Sequence, residues 1–260
     1  MKVISRLISS VAGELAESMR GRLPVREVLR PLIVLTISSV GIASLLPVPS
    51  AFAASPLTGR TIVLNAEEGG SESGGIAGGV EEKDINLPTT LDLGTLLIQA
   101  GAHVVYTRST DVTVSLQARA ALANQVHADA FLTIAANTLS DPSFSGSVTF
   151  YGSPGGYLDG HTRPADLVAA SRDLALDVQA GVIQATGEAD RGIQPADFYV
   201  LGYAQVPAAL IETGFMTNPP ELQKLVTPSY QETIAEGITG GLEQFFSGRP
   251  TTGQPATQPA

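Results

Sequence analysis

The side chains best placed to do chemistry are carboxylates. The stretch NAEEGGSESGGIAGGVEEKD, Asn65 to Asp84, packs six glycines and six acidic residues into twenty positions directly after the apolar run TIVLN. A glycine-rich loop leaving a strand can hold a phosphate or a metal. So much negative charge argues against phosphate and leaves a cation. Glu67 and Glu68 stand at the near end of the loop and Glu82 at its far end. Glu212 interrupts the apolar segment AALIETGF, so it is expected to be partly buried, which is costly without a metal, a donor or a raised pKa. Taken singly, Glu67, Glu72 and Glu81 read as solvated loop acids.

These residues need a scaffold that brings them together. TIVLN, AHVVYTR and AFLTIA read as strands, separated by a helix over INLPTTLDLGTLLIQAG and another over SLQARAALANQVH. The first helix is expected to bury Leu87, Leu91 and Ile98, with Pro88 tolerated in its first turn, and the second to bury Leu116, Ala120 and Ala123. SGSVTFYG reads as a further strand. A helix with Leu167, Leu174, Val178 and Val182 on one face comes next, then FYVL and AALIET as two strands. The last helix carries Ile234, Ile238 and Phe245 on one face, with Thr227 as N-cap and Pro228 at its first position. The pattern predicts one α/β domain whose mostly parallel, twisted sheet has helices on both faces. In such sheets sites form at the carboxyl ends of strands, which puts Asn65 to Gly70, Ala135 to Asn137, and Glu212 with Thr213 on one rim.

Composition narrows the choices further. The chain has 260 residues, no cysteine and three histidines, so His, Asp and Glu are the only strong metal ligands it can offer. His103 begins an apolar strand and reads as structural, His127 ends a helix and reads as its cap, and His161 lies in a loop. Arg20, Arg22, Arg26 and Arg30, then PLIVLTISSVGIASLL and Ala51-Phe52-Ala53, read as a signal peptide over residues 1–53 cleaved before Ala54. Met19 is an alternative start, and an uncleaved anchor is the alternative to cleavage. Without that segment nine Lys and Arg face 22 Asp and Glu, a balance that excludes nucleic acid as a natural partner. Residues 54–247 then form the domain, and 248–260 a low-complexity tail expected to be disordered.

Six stretches carry a resemblance: EKDINL (82–87), AGAHVVYTRSTD (100–111), SLQARAALAN (115–124), ADAFLTI with the following AN (128–137), RGIQPADFYVL (191–201) and PAALIETGFMTNP (207–219). In this order they resemble the catalytic domain of the zinc-dependent N-acetylmuramoyl-L-alanine amidases, which cut the bond between N-acetylmuramic acid and the stem peptide of peptidoglycan. The resemblance implies a rim zinc held by a His in a DPGHGG loop, a Glu in the EKD segment and a His in an S-I-H-A-N segment, with a Glu in a VEVGF segment as general base. Carried onto this chain, the second ligand is Glu82 and the base is Glu212. The two histidine positions hold Glu68 and Ala135.

The resemblance therefore implies peptidoglycan or muropeptides as partner, with an envelope regulatory protein as a further possible one, in the periplasm or cell envelope. Zinc is implied by family, but an oxygen set of Glu68, Glu82 and Glu212 suits Mg²⁺, Ca²⁺ or Mn²⁺ better, or no metal. Without a metal these carboxylates are expected to share a proton. Three functional readings stay open at this point: a binding module whose zinc hydrolysis is impaired or lost, an active amidase with a rearranged metal site, and a carboxylate hydrolase of glycan bonds. Arg191, in RGIQ, is a further match with an expected structural role.

Overall fold

The computed structural model describes residues 54–154, 162–247 and 249. The expected signal segment, His161 and all of the tail except Arg249 lie outside the described residues. In chain order the elements are β1 (Thr61–Ala66), β2 (Ile76–Ala77), β3 (Val80–Glu81), α1 (Lys83–Gln99), β4 (His103–Tyr106), α2 (Leu116–Gln125), β5 (Ala130–Asn137), β6 (Ser147–Gly152), α3 (Ala165–Thr186), β7 (Asp190–Ala196), α4 (Tyr199–Tyr203), β8 (Ala208–Phe215), α5 (Pro219–Leu225) and α6 (Pro228–Phe246). Six strands form one sheet in the order β4-β1-β5-β8-β6-β7, and β2 with β3 makes a small hairpin. All neighbours in the large sheet run parallel except β6 and β8. The α/β fold with helices on both faces is as expected.

Two apolar cores explain why the central strands are continuously hydrophobic. On one face α1, α3 and α6 cover Ile62, Leu64, Leu132 and Ile211. On the other α2 and α4 cover Val63, Phe131, Ala135 and Leu210. A strand covered on both sides gains from burying every residue, so alternation disappears. Helices α3 and α6 approach through glycines: a Cβ added at Gly181 would come 2.2 Å from the Gly237 carbonyl oxygen, and one at Gly241 2.5 Å from Val178 Cα. Backbone cannot yield as a flexible side-chain tip can. Gly181→Ala is therefore expected to destabilise the fold by about 2 kcal/mol or more, read as a lowered midpoint in urea unfolding.

Several elements depart from the sequence expectation. Helix α1 begins at Lys83, so Pro88 falls in its second turn, and the buried face is Ile85, Asn86, Thr89, Thr90, Leu93, Gly94 and Leu97 while Ile98 is exposed. The polar members are satisfied locally: Thr89 Oγ1 donates to the Ile85 carbonyl at 2.8 Å and Thr90 Oγ1 to that of Asn86 at 2.6 Å. In α2, Leu116 is exposed and Arg119 takes the buried place beside Ala120 and Ala123. FYVL is not a strand; Val200 and Leu201 enter the second core from the short helix α4, where Tyr199 stacks on Tyr203 at 4.2 Å. The strand is β7 instead, an edge position that accepts Pro195. Thr227 is the residue before α6, yet its hydroxyl donates to the Gln223 carbonyl and does not cap.

Candidate functional site at the carboxyl ends of the strands

Residues 65–68 leave the end of β1 and are held from beneath by two buried arginines. Arg119 donates from Nη1 to Asn65 Oδ1 and the Ala66 carbonyl, both at 2.6 Å, from Nη2 to the Glu68 carbonyl at 2.8 Å, and from Nε to that of Val114. Arg108 donates to the carbonyls of Ala66 and Glu67 at 3.0 Å and, more weakly, to those of Thr110 and Lys83. Gly69 is needed for this close approach, since a Cβ there would lie 2.5 Å from the Val112 carbonyl oxygen and 2.8 Å from Arg108 Nε. Lys83 ties the loop outward, bonding the Gly70 carbonyl and Asp111. The glycine-rich connection from β1 to α1 contains the β2–β3 hairpin.

The loop presents Glu67 and Glu68 to the rim. Glu68 stands at φ +59°, the left-handed region that costs an L-residue roughly 1 kcal/mol or more. Glu68→Gly should relieve that strain and remove one like charge, raising Tm by about 2–4 °C in a thermal melt.

Glu82 lies just before α1 and is buried. Its Oε2 accepts the Gly75 N–H and its Oε1 the Asn86 Nδ2–H, both at 2.9 Å. Gly74 makes room for it: a Cβ there would meet Glu82 Oε2 at 2.6 Å and Glu68 Cγ at 2.7 Å. Glu68 and Glu82 thus flank the same glycine.

Glu212 projects from β8 with 7 % of its surface exposed. It pairs in register with Ala135 on β5 and Val148 on β6, and the β5–β8 register shifts immediately beyond it. Its Oε2 is buried without a hydrogen-bond partner. Burial pushes its carboxyl well above the usual carboxylate range, and the facing Glu67 and Glu82 push it further. Burial likewise raises Glu67 to about 8, reinforced by Glu82 and Glu68 and opposed by Arg119. Glu82 is also raised by burial, against the pull of its Gly75 and Asn86 bonds.

The charges of Glu67 and Glu82 thus reach Glu212, and those of Glu68 and Glu82 reach Glu67. Glu67 is half-buried, where the sequence reading took it for a solvated acid; its N–H donates to the Ile134 carbonyl on β5 at 3.0 Å. Glu72 is exposed and Glu81 pairs with Lys83, as loop acids do. Arg108, Arg119 and Asn86 were not singled out from sequence. Arg119 had one signal, a charge beside Ala120 and Ala123 on the side of α2 expected to be buried. Asn137 stays at the rim, its Oδ1 accepting the Thr138 N–H. Arg191 braces the 138–147 segment away from the acids, with Nε on the Ser145 carbonyl and its guanidinium 4.2 Å from the Phe144 ring centroid.

Ala135 is fully buried in the second core and its methyl group offers no electron pair. His103 begins β4, and His127 follows α2 at φ +49° with its N–H on the Asn124 carbonyl. Both stand toward the amino ends of the strands, away from the rim. Among the described residues no group of three or more His, Cys, Asp or Glu is disposed to hold a metal ion. Glu67, Glu68 and Glu72 instead line a groove of about 450 Å³ together with Val114, Leu116 and Arg119.

A predominantly parallel α/β sheet with an acid-lined site at its carboxyl rim defines a class of protein shared by many hydrolases and binding domains. The chain belongs to the N-acetylmuramoyl-L-alanine amidase family, whose model matches residues 62–244. It is 35% identical over 198 residues to the uncharacterized protein YqiI of Bacillus subtilis, covering 76% of this chain and 90% of that one. It is also 35% identical to the N-acetylmuramoyl-L-alanine amidase LytC of Bacillus subtilis, covering 74% of this chain but only 36% of LytC. Among solved structures, the N-acetylmuramoyl-L-alanine amidase from Clostridium difficile 630 superposes with a TM-score of 0.67 at 31% identity, over 74% of this chain and all of that one. The CwlD amidase from Clostridioides difficile, solved in complex with the GerS lipoprotein, gives 0.65 at 28% identity over 72% of this chain and 98% of that one.

Proposed function

We propose that this chain is an exported member of the amidase family that binds peptidoglycan or muropeptides, with its zinc hydrolysis impaired or lost. One observation carries the reading: the methyl of Ala135 occupies a rim position where the family resemblance calls for a ligand. Zinc prefers nitrogen and sulfur donors, and among the described residues the rim offers carboxylates as its strong ligands. The described residues do not fit zinc.

Glu212, in the place of the family's general base, meets a second obstacle. A base must be ionised at working pH, and burial with two facing carboxylates keeps this carboxyl protonated well above the usual range. Glu82, in one ligand position, has other work: it anchors the hairpin loop through Gly75 and the first turn of α1 through Asn86. What remains suited to function is the groove beside the acids.

The family relationship supports a cell-wall location, and residues 1–53 are the proposed export signal, with 54–247 as the working domain. Among the described residues no helix is long and apolar enough to cross a membrane. The lipoprotein bound to CwlD makes an envelope protein a reasonable regulatory partner to seek for this chain. The test is metal analysis of the purified protein together with peptidoglycan sedimentation and digestion. Co-sedimentation without stoichiometric metal and without released stem peptides is expected; stoichiometric zinc with cleaved muramoyl amides would overturn the reading.

A further inference from the structure

Two segments lead away from the rim, and one short helix touches both. The first, residues 138–146 between β5 and β6, lies outside the sheet and is exposed from Leu139 to Ser143. Its main chain is tied to the rest of the fold by side chains. The Leu139 N–H donates to Thr217 Oγ1 at 3.1 Å, the Ser145 carbonyl accepts from Arg191 Nε at 2.7 Å, and the Gly146 N–H donates to Glu221 Oε1 at 2.9 Å. The Phe144 ring adds an edge contact to Phe215, with 4.7 Å between centroids. A strap held by side chains, without sheet pairing, belongs to the low-stability end of a fold.

The second segment is the β2–β3 hairpin. Gly78 in its turn packs against α5, since a Cβ there would come 2.8 Å from Leu222 Cδ2. Gly75 at its base packs against the strap, since a Cβ there would come 2.4 Å from Thr138 Cγ2. The Gly75 N–H is also the donor that anchors Glu82 Oε2. The two segments therefore meet at the residue that holds Glu82.

Glu221 and Leu222 are consecutive on α5, about 100° apart around the helix, so one can hold the strap while the other packs on the hairpin. Glu221 Oε2 also accepts the Phe215 N–H at 2.8 Å, which joins strap, helix and the end of β8 through one carboxylate. Gly214 on β8 leaves α5 its seat: a Cβ there would lie 3.1 Å from Leu225 Cδ1 and 3.2 Å from Glu221 Cδ. A helix of seven residues does not hold by propensity alone, so the place of α5 depends on these contacts and on its Asn218 cap.

We propose that α5 is a shared latch: the strap 138–146 and the β2–β3 hairpin open together when α5 leaves its seat, and Glu82 loses the Gly75 N–H in that opening. The device does not depend on what binds at the rim.

Hydrogen exchange of the native full chain tests it. The amides of Leu139 and Gly146 report the strap, those of Gly75 and Glu82 the hairpin, and those of Leu132 and Ile211 the central strands. In wild type under low urea, strap and hairpin are expected to share one opening, easier and less urea-dependent than that of the central strands. Glu221→Gln keeps the shape but sets an amide N–H₂ against one of two N–H donors, and Leu222→Ala removes the contact with the hairpin. Glu221→Gln should speed exchange roughly tenfold or more at the strap and also at the hairpin, which it does not touch. Leu222→Ala should likewise speed both. A melt shows whether each variant is folded; where neither is, the wild-type exchange decides alone. Separate openings for strap and hairpin in wild type, or opening of both only with Leu132 and Ile211, would overturn the proposal. So would folded variants in which Glu221→Gln loosens the strap alone and Leu222→Ala the hairpin alone.

Discussion

Stability is expected to fall as pH rises from about 4.5 to 8, opposite to the usual behaviour of a protein rich in ion-paired carboxylates. Glu67 titrates near its ordinary value of 4.5 when unfolded and at about 8 in the fold. Between those values the native state holds a proton that the unfolded chain releases, so raising the pH pulls the equilibrium toward unfolding. The stabilising contribution is complete below 4.5 and gone above about 8. Glu212 and Glu82 move the same way, chiefly from burial, with the charges of Glu67 and Glu82 adding to Glu212 and that of Glu68 to Glu82. Glu221, which burial raises against its bonds to the Gly146 and Phe215 N–H groups, adds in the same direction.

A tenfold difference in proton affinity between the folded and unfolded chain is worth about 1.4 kcal/mol, and solvent in the groove screens part of it, so a loss on the order of 3 kcal/mol is expected across the window. For a domain of this size that is about 10 °C in Tm. Calorimetry from pH 4.5 to 8 measures it, and Glu67→Gln should flatten the profile because the amide carries no titrating proton. A wild-type profile that is flat or rising would show that the carboxyls do not share protons as their burial demands.

How much of this could be read from the sequence differs between scaffold and site. The central strands were legible because a strand buried on both faces is a short unbroken apolar run between glycines and polar loops, as in TIVLN and AFLTIA. Helix α1 was legible as a helix but its face was not. Hydrophobic spacing favours Leu87, Leu91 and Ile98, whereas the fold buries two threonines that satisfy their own hydroxyls and Gly94, above which the Tyr106 hydroxyl sits. Strand β7 was hidden because Gly192, at φ +74°, and Pro195 both weaken a strand signal and are tolerated only at a sheet edge.

In the site, Glu82 stands just before α1 and Glu212 interrupts the apolar run of β8, so both could be found from position. Glu67 could not. Its partial burial involves β5, whose residues are distant in sequence, and a single loop glutamate carries no local mark of that. The same reason hid Arg108 and Arg119: the carbonyls they hold belong to a loop more than forty residues away.

Restoring both imidazoles is expected to create zinc binding where the wild type has none. In the variant Glu68→His, Ala135→His, the two new side chains join Glu82, giving the three-ligand set with an open position that hydrolytic zinc requires. The register favours the attempt, since residue 135 lies beside Glu212 on the neighbouring strand. The core opposes it: Ala135 is packed with Val63, Phe131 and Leu210, and enlarging a side chain there should cost about 1–3 kcal/mol in the metal-free variant. Zinc binding should more than offset that cost. At a free concentration a thousandfold above Kd it contributes about 4 kcal/mol, so the variant should melt below wild type in chelator and above it in zinc. Wild type should melt at the same temperature in both. Hydrolysis need not return with the metal, because the base position requires Glu212 to ionise; the adjacent positive charge would lower its pKa, and activity rising with pH would report that change. A folded variant that takes up no zinc would mean that the rim has moved too far from the family's geometry for Glu82 and Glu212 to keep their ancestral roles.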